Sequence, residues 1–144
     1  MTMRGGLSDR AAMLGQVPLF AGLDRSHLEA LATRAAERTY SRGVAIVRQG
    51  EEGLGFYLVL NGTADVLRSG RPVATLLPGQ FFGETALLEA QPRTADVRAT
   101  SEVDCLILDR QSFWAVLGID PDTDRGNFEA IVDRLRSPHA SLTE

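Results

Sequence analysis

Lysine is absent from this chain: all fifteen basic residues are arginine. That absence excludes Schiff-base chemistry on a lysine and the lysine of a phosphate-binding P-loop. The arginine bias itself has a simpler account in the codon usage of a GC-rich genome. A single cysteine, Cys105, excludes an internal disulfide and any cysteine-rich zinc site. Within Val103–Leu108 it reads as a small buried hydrophobe. The two histidines, His27 and His139, lie far apart with no ligand spacing and read as surface residues. Adjacent Glu51 and Glu52 have no partners for a metal and read as solvated. No apolar run approaches the length that spans a bilayer. Gly15, Gln16 and Pro18 interrupt the N-terminal apolar stretch, so a signal peptide is not expected. The expectation is a soluble, cytoplasmic protein that engages no membrane. A formal charge of −4 argues against non-specific nucleic-acid binding, which needs clustered positive charge.

What the chain does contain is the material of one globular domain. Its 144 residues, 44% hydrophobic and 24% charged, can bury a substantial core. A helix is expected after Asp24 or Ser26, with Ser26 and Glu29 in capping-box spacing. Leu28, Leu31, Ala32 and Ala35 share one of its faces. Upstream, Leu14, Val17, Leu19, Phe20 and Leu23 surround Pro18 and suggest a short apolar turn. From about Thr39 the rhythm changes to short apolar runs: Val44–Val47, Phe56–Leu60, Ala64–Leu67, Val73–Leu77, Ala95–Ala99 and Val103–Leu108. Glycines punctuate the first four, which predicts many short strands with tight corners, as in an all-β barrel or sandwich. Phe113, Trp114 and Val116 read as helix packing. Phe128, Ile131, Val132 and Leu135 form a helical stripe, with caps at Asp122, Asp124 or Asn127 and a stop at Pro138. That stripe could pack on the β-body, cover a ligand or form a dimer seam; packing is the expectation.

The informative segment runs from Phe81 to Ala99. Gly83 admits close backbone approach, and a short helical turn follows whose first N–H groups could face an anion. Arg93 stands directly after Pro92, which restrains the chain entering it. A guanidinium and exposed amides suit a phosphate. The Glu84 carboxylate cannot bind that phosphate but can accept a hydrogen bond from a neighbouring sugar hydroxyl. A site that wants both suggests a ribose phosphate. Phe81 and Phe82 read as core or strand-edge packing. Asp96 is harmless if Ala95, Val97 and Ala99 face the core, because strand alternation then turns it outward with Arg98.

Phe82-Gly83-Glu84-Thr85-Ala86-Leu87-Leu88 followed by Pro92-Arg93-Thr94-Ala95 closely resembles the phosphate-binding cassette of cyclic-nucleotide-binding domains. Such domains occur in catabolite-activator-type regulators, kinase regulatory subunits and nucleotide-gated channels. Ile46-Val47 before Gly50-Glu51, and Phe56-Tyr57-Leu58-Val59 before Gly62, resemble the family's other signature. The resemblance implies a mainly-β fold, a double-stranded β-helix or jelly-roll-like β-roll with short flanking helices. It implies that Gly83 and Glu84 hold the ribose 2′-hydroxyl. Ala86 and Leu87 would lie in the cassette helix, after Thr85, with amides near the cyclic phosphate. Arg93 would pair with an exocyclic phosphate oxygen, and the Thr94 and Ala95 amides would complete the cradle. Thr94 resembles the residue of members that accept cyclic GMP.

The expected organisation is an N-terminal extension over 1–13, a cyclic-nucleotide-binding domain over 14–137 and a mobile tail over 138–144. The expected ligand is cyclic AMP or cyclic GMP, with no cofactor, no metal and no catalysis. A ligand-free protein-interaction module of the same fold is the rival reading. The thirty-odd residues beyond Arg110 leave no room for a helix-turn-helix plus a closing helix. The signal is therefore expected to leave through a protein partner or a larger assembly, and a homodimer is compatible with this.

Overall fold

In the computed structural model, the described residues are 6–53, 55–88 and 92–120, together with 123, 124, 126, 129, 130 and 133. Two four-stranded antiparallel sheets and a helical layer make up the body. Helix α1 (Leu7–Gly15), a 3-10 turn (Pro18–Phe20) and α2 (Arg25–Arg34) precede the strands. These are β1 (Ala36–Tyr40), β2 (Ala45–Val47), β3 (Gly55–Asn61), β4 (Ala64–Arg68), β5 (Arg71–Leu76), β6 (Phe81–Phe82), β7 (Asp96–Ala99) and β8 (Val103–Asp109). Helix α3 (Thr85–Leu88) lies between β6 and β7, and α4 (Arg110–Leu117) follows β8. The sheet orders are β1-β8-β3-β6 and β2-β7-β4-β5. This is the expected β-roll with flanking helices.

The layering follows from alternation along β3 and β8. Phe56, Leu58, Leu60, Leu106 and Leu108 pack against Leu14, Phe20, Leu31, Phe113 and Trp114 of the helical layer. Val59, Val103 and Cys105 point the other way, into a second core with Val47, Val66, Phe82 and Val97 between the sheets. A strand covered on both faces reads as a continuous apolar run, which is how β3 appears in the sequence. Cys105 is fully buried, and that burial, with Asp104 beside it, pushes its thiol up to about 12.

Two elements were not anticipated. Helix α1 begins at Leu7 and buries Ala11, so the packed body starts inside the stretch read as an extension. Strand β1 is mostly polar and, among the described residues, pairs with β8 alone, at a sheet edge. At α2, Asp24 is the cap: its carboxylate accepts from the His27 amide at 2.9 Å, whereas Glu29 takes Arg25 at 3.0 Å. The stripe from Phe128 to Leu135, Pro138 and the tail lie outside the described residues. Among the described residues, no helix is long and apolar enough to cross a membrane.

Candidate functional site

The site is assembled where β6 runs into α3 and where the chain enters β7. Gly83 takes a φ of +84°, a left-handed conformation that L side chains resist. This turn folds the chain directly from β6 into α3. Glu84 follows it and is the one buried charged side chain among the described residues, 6% exposed. In α3, the Ala86 amide donates to the Gly83 carbonyl and the Leu87 amide to the Glu84 carbonyl, each at 3.1 Å. The two amides expected beside a phosphate are thus engaged within the cassette turn. Their side chains are buried, with Leu87 in the helical layer.

Arg93 is clamped through its main chain. Its amide donates to the Glu51 carbonyl at 2.7 Å, and its carbonyl accepts from the Gly50 amide at 2.8 Å. Its guanidinium, half-buried, donates through Nη2 to the Gly55 carbonyl at 2.8 Å. The cation also lies 5.6 Å from the centre of the Tyr57 ring and 6.0 Å from that of Phe82. Those rings are themselves stacked, 4.7 Å apart and 8° from parallel. Contacts of this kind attract a cation by about 0.5–2 kcal/mol. Burial draws the Arg93 guanidinium below its usual range, the signature of a cation stripped of part of its water. An anion would restore that lost stabilisation.

Arg93 lines two cavities. One, of about 230 Å³, is lined by Ile46, Glu52, Tyr57, Arg93 and Asp109 among others. The other is a small cleft that brings together Phe82, Gly83, Arg93, Thr94 and Ala95, five of the nine residues expected to bind ligand. Glu84, Thr85, Ala86 and Leu87 do not line that cleft. A larger opening along α4, about 700 Å³, contains none of the nine and runs up to Asp120, where the described chain is interrupted. Asp96 is turned away from the core, as alternation requires. Its carboxylate accepts from the Gln49 amide at 2.6 Å, while Ala95, Val97 and Ala99 are buried.

Helix α4 locks the cassette from behind. Arg110 Nε donates to the Ala86 carbonyl at 2.7 Å, and Trp114 Nε1 to the Leu87 carbonyl at 2.7 Å. Both acceptors are carbonyls that a four-residue helix cannot satisfy internally. Trp114→Phe should therefore strand a buried carbonyl and cost about 1–3 kcal/mol. Urea unfolding followed by circular dichroism measures it, and an unchanged midpoint would show that the bond contributes nothing.

The roles of Gly50, Gly55 and Tyr57 were missed. All three stand in the glycine-rich signature around β2 and β3, a visible signal, but nothing local states that they serve Arg93.

The chain matches the family model described as "Cyclic nucleotide-binding domain" over residues 37–120, more than half its length. It is 33% identical over 108 residues to a cAMP-dependent protein kinase regulatory subunit of Schizosaccharomyces pombe, covering 74% of this chain and 26% of that protein. It is 35% identical over 135 residues to the cGMP-dependent protein kinase egl-4 of Caenorhabditis briggsae, covering 87% and 18%. Among solved structures, a cyclic nucleotide-binding-like protein from Brucella abortus superposes with a TM-score of 0.73 at 25% identity, covering 77% of this chain and 99% of that one. The regulatory domain of Toxoplasma gondii PKA in co-crystals with cAMP gives 0.69 at 30% identity, covering 86% and 49%. The chain belongs to the cyclic nucleotide-binding domain family. It spans about a quarter or less of the length of these two kinase-related relatives.

Proposed function

We propose that this chain binds a 3′,5′-cyclic nucleotide, cyclic AMP or cyclic GMP, reversibly and as a regulatory sensor without catalysis of its own. The observation that carries the reading is the Arg93 guanidinium, half-buried, bonded to the Gly55 carbonyl, laid beside Tyr57 and Phe82 and close against the left-handed Gly83 turn. The family match and the likeness to a cAMP-bound regulatory domain support the same ligand class. In this reading Arg93 meets the phosphate, the Thr94 and Ala95 amides assist it, and Glu84 accepts from the ribose 2′-hydroxyl. Phe82 and Gly83 wall the site, and α3, from Thr85 through Ala86 and Leu87, sets where that wall lies. The ligand would favour the arrangement that best covers it, shifting an existing equilibrium. The output then passes to a protein partner or larger assembly, in the cytoplasm, with residues 14–137 as the binding unit.

The test is calorimetric titration of nucleotide-free protein with cyclic AMP, cyclic GMP and their 2′-deoxy analogues. At least one ribonucleotide should bind at micromolar or better affinity, and the 2′-deoxy forms more weakly. Ligand at about 100 times its dissociation constant should add roughly 2.7 kcal/mol of stability. No heat and no thermal shift with any of them would favour the ligand-free interaction module.

A further inference from the structure

We propose that Arg68 reads the base edge of the bound nucleotide and gives the site a preference for a 6-oxopurine, guanine, over adenine. The inference rests on the cyclic-nucleotide reading above. Along β4, Ala64 and Val66 are buried in the core between the sheets, and alternation carries Arg68 onto the same face at the strand's open end. There its exposed side chain lines the cleft that Arg93 and Thr94 also line, beside Val47, Val66 and Val97. The enclosed part of that cleft is only about 20 Å³, room for little more than a water molecule. A nucleotide anchored by its phosphate at Arg93 on the Thr94 side would therefore extend its base over the apolar wall formed by Val47, Val66 and Val97. Arg68 lines the same cleft.

The strand end is held in place for such a role. Ser69 and Gly70 both take positive φ, 53° and 81°, and form the two-residue turn that joins β4 to β5. The Ser69 amide donates to Gln49 Oε1 at 2.8 Å, and the Gln49 amide donates to Asp96 at 2.6 Å. The turn is thereby tied to the start of β7, two residues from Thr94. The Arg68 side chain has no hydrogen-bond or ion-pair partner among the described residues. Directly opposite it in the ladder is Arg71, another cation. Like charges facing each other across strands are destabilising, and among the described residues no carboxylate forms an ion pair with either arginine. An acceptor-rich ligand edge would offset that repulsion.

The chemistry of that edge sets the choice. Guanine presents O6 and N7 as adjacent acceptors, which an arginine fork meets with two hydrogen bonds. Adenine replaces O6 with an amino donor, which repels the same fork. Hypoxanthine keeps O6 and N7 and lacks only the exocyclic amine.

The experiment is titration of wild type, Arg68→Ala and Arg68→Lys with cyclic GMP, cyclic IMP and cyclic AMP, with melting temperatures recorded for each variant. Wild type should favour cyclic GMP over cyclic AMP by about tenfold or more, with cyclic IMP following cyclic GMP. Arg68→Ala should bring the ratio close to one by weakening the oxopurines alone, and Arg68→Lys should restore little of it. Equal weakening of all three ligands would make Arg68 a general attractor for the phosphate and overturn the inference. So would a wild-type preference for cyclic AMP. Binding of no nucleotide by wild type would overturn both this inference and the reading beneath it.

Discussion

Arg93→Ala is expected to weaken cyclic-nucleotide binding roughly 30- to 1,000-fold, about 2–4 kcal/mol, because the phosphate loses its charged partner. The range exceeds that of an ordinary hydrogen bond because the guanidinium is already partly desolvated against Tyr57 and Phe82. Charge brought near an anion in such surroundings is less screened than at an open surface. Arg93→Lys keeps the charge but gives up the planar fork, including the bond now made to the Gly55 carbonyl, so it should recover only part of the loss. Calorimetry on both variants, beside unfolding curves, separates affinity from folding. Near-wild-type affinity in Arg93→Ala would place the phosphate elsewhere and dismantle the site.

The second large effect is expected at Gly83→Ala, and it should appear in stability and binding together. A β-carbon there would sit 2.5 Å from Arg93 Nη1 and 2.6 Å from the Gly55 carbonyl oxygen. The arginine tip can swing aside; the carbonyl cannot easily do so, because Gly55 is paired with Asp109 in the β3–β8 ladder. The left-handed backbone adds about 1–2 kcal/mol of its own for a residue with a side chain. Together these predict a loss of about 2–4 kcal/mol in urea unfolding. Binding should fall at least tenfold, since the clash displaces the guanidinium. Wild-type stability and affinity in this variant would mean that the turn relaxes freely and that its geometry is not required.

The two effects differ in kind. Arg93→Ala removes a ligand contact together with the bond to the Gly55 carbonyl, so it should cost binding more than stability, whereas Gly83→Ala acts on the scaffold that places the contact. The pair of measurements therefore tests whether the cradle is built before ligand arrives. The hydrogen bond from Arg93 to Gly55 and the main-chain clamp by Gly50 and Glu51 are the features that would prebuild it.

Much of this was legible from residues close together in the chain. The strands β2 to β5, β7 and β8 follow from apolar runs and glycine corners, because alternation and turn angles depend on immediate neighbours. The cassette was equally local: Gly83, Glu84 and Arg93 to Ala95 announce a turn, a carboxylate and a cation within a dozen residues. What tertiary structure alone decided is who meets Arg93. Gly55 and Tyr57 lie some forty residues upstream, and only the packing of β3 beside β6 brings them to the guanidinium. Edge strand β1, with its polar sequence, became a strand because β8 offered it a ladder. Nothing in its local sequence marks Arg68; the register of the β4–β5 hairpin sets it opposite a second arginine, on the cleft that Arg93 also lines. Dihedral preference and periodicity are written residue by residue, whereas a site's second wall depends on sheet register, which no single segment carries.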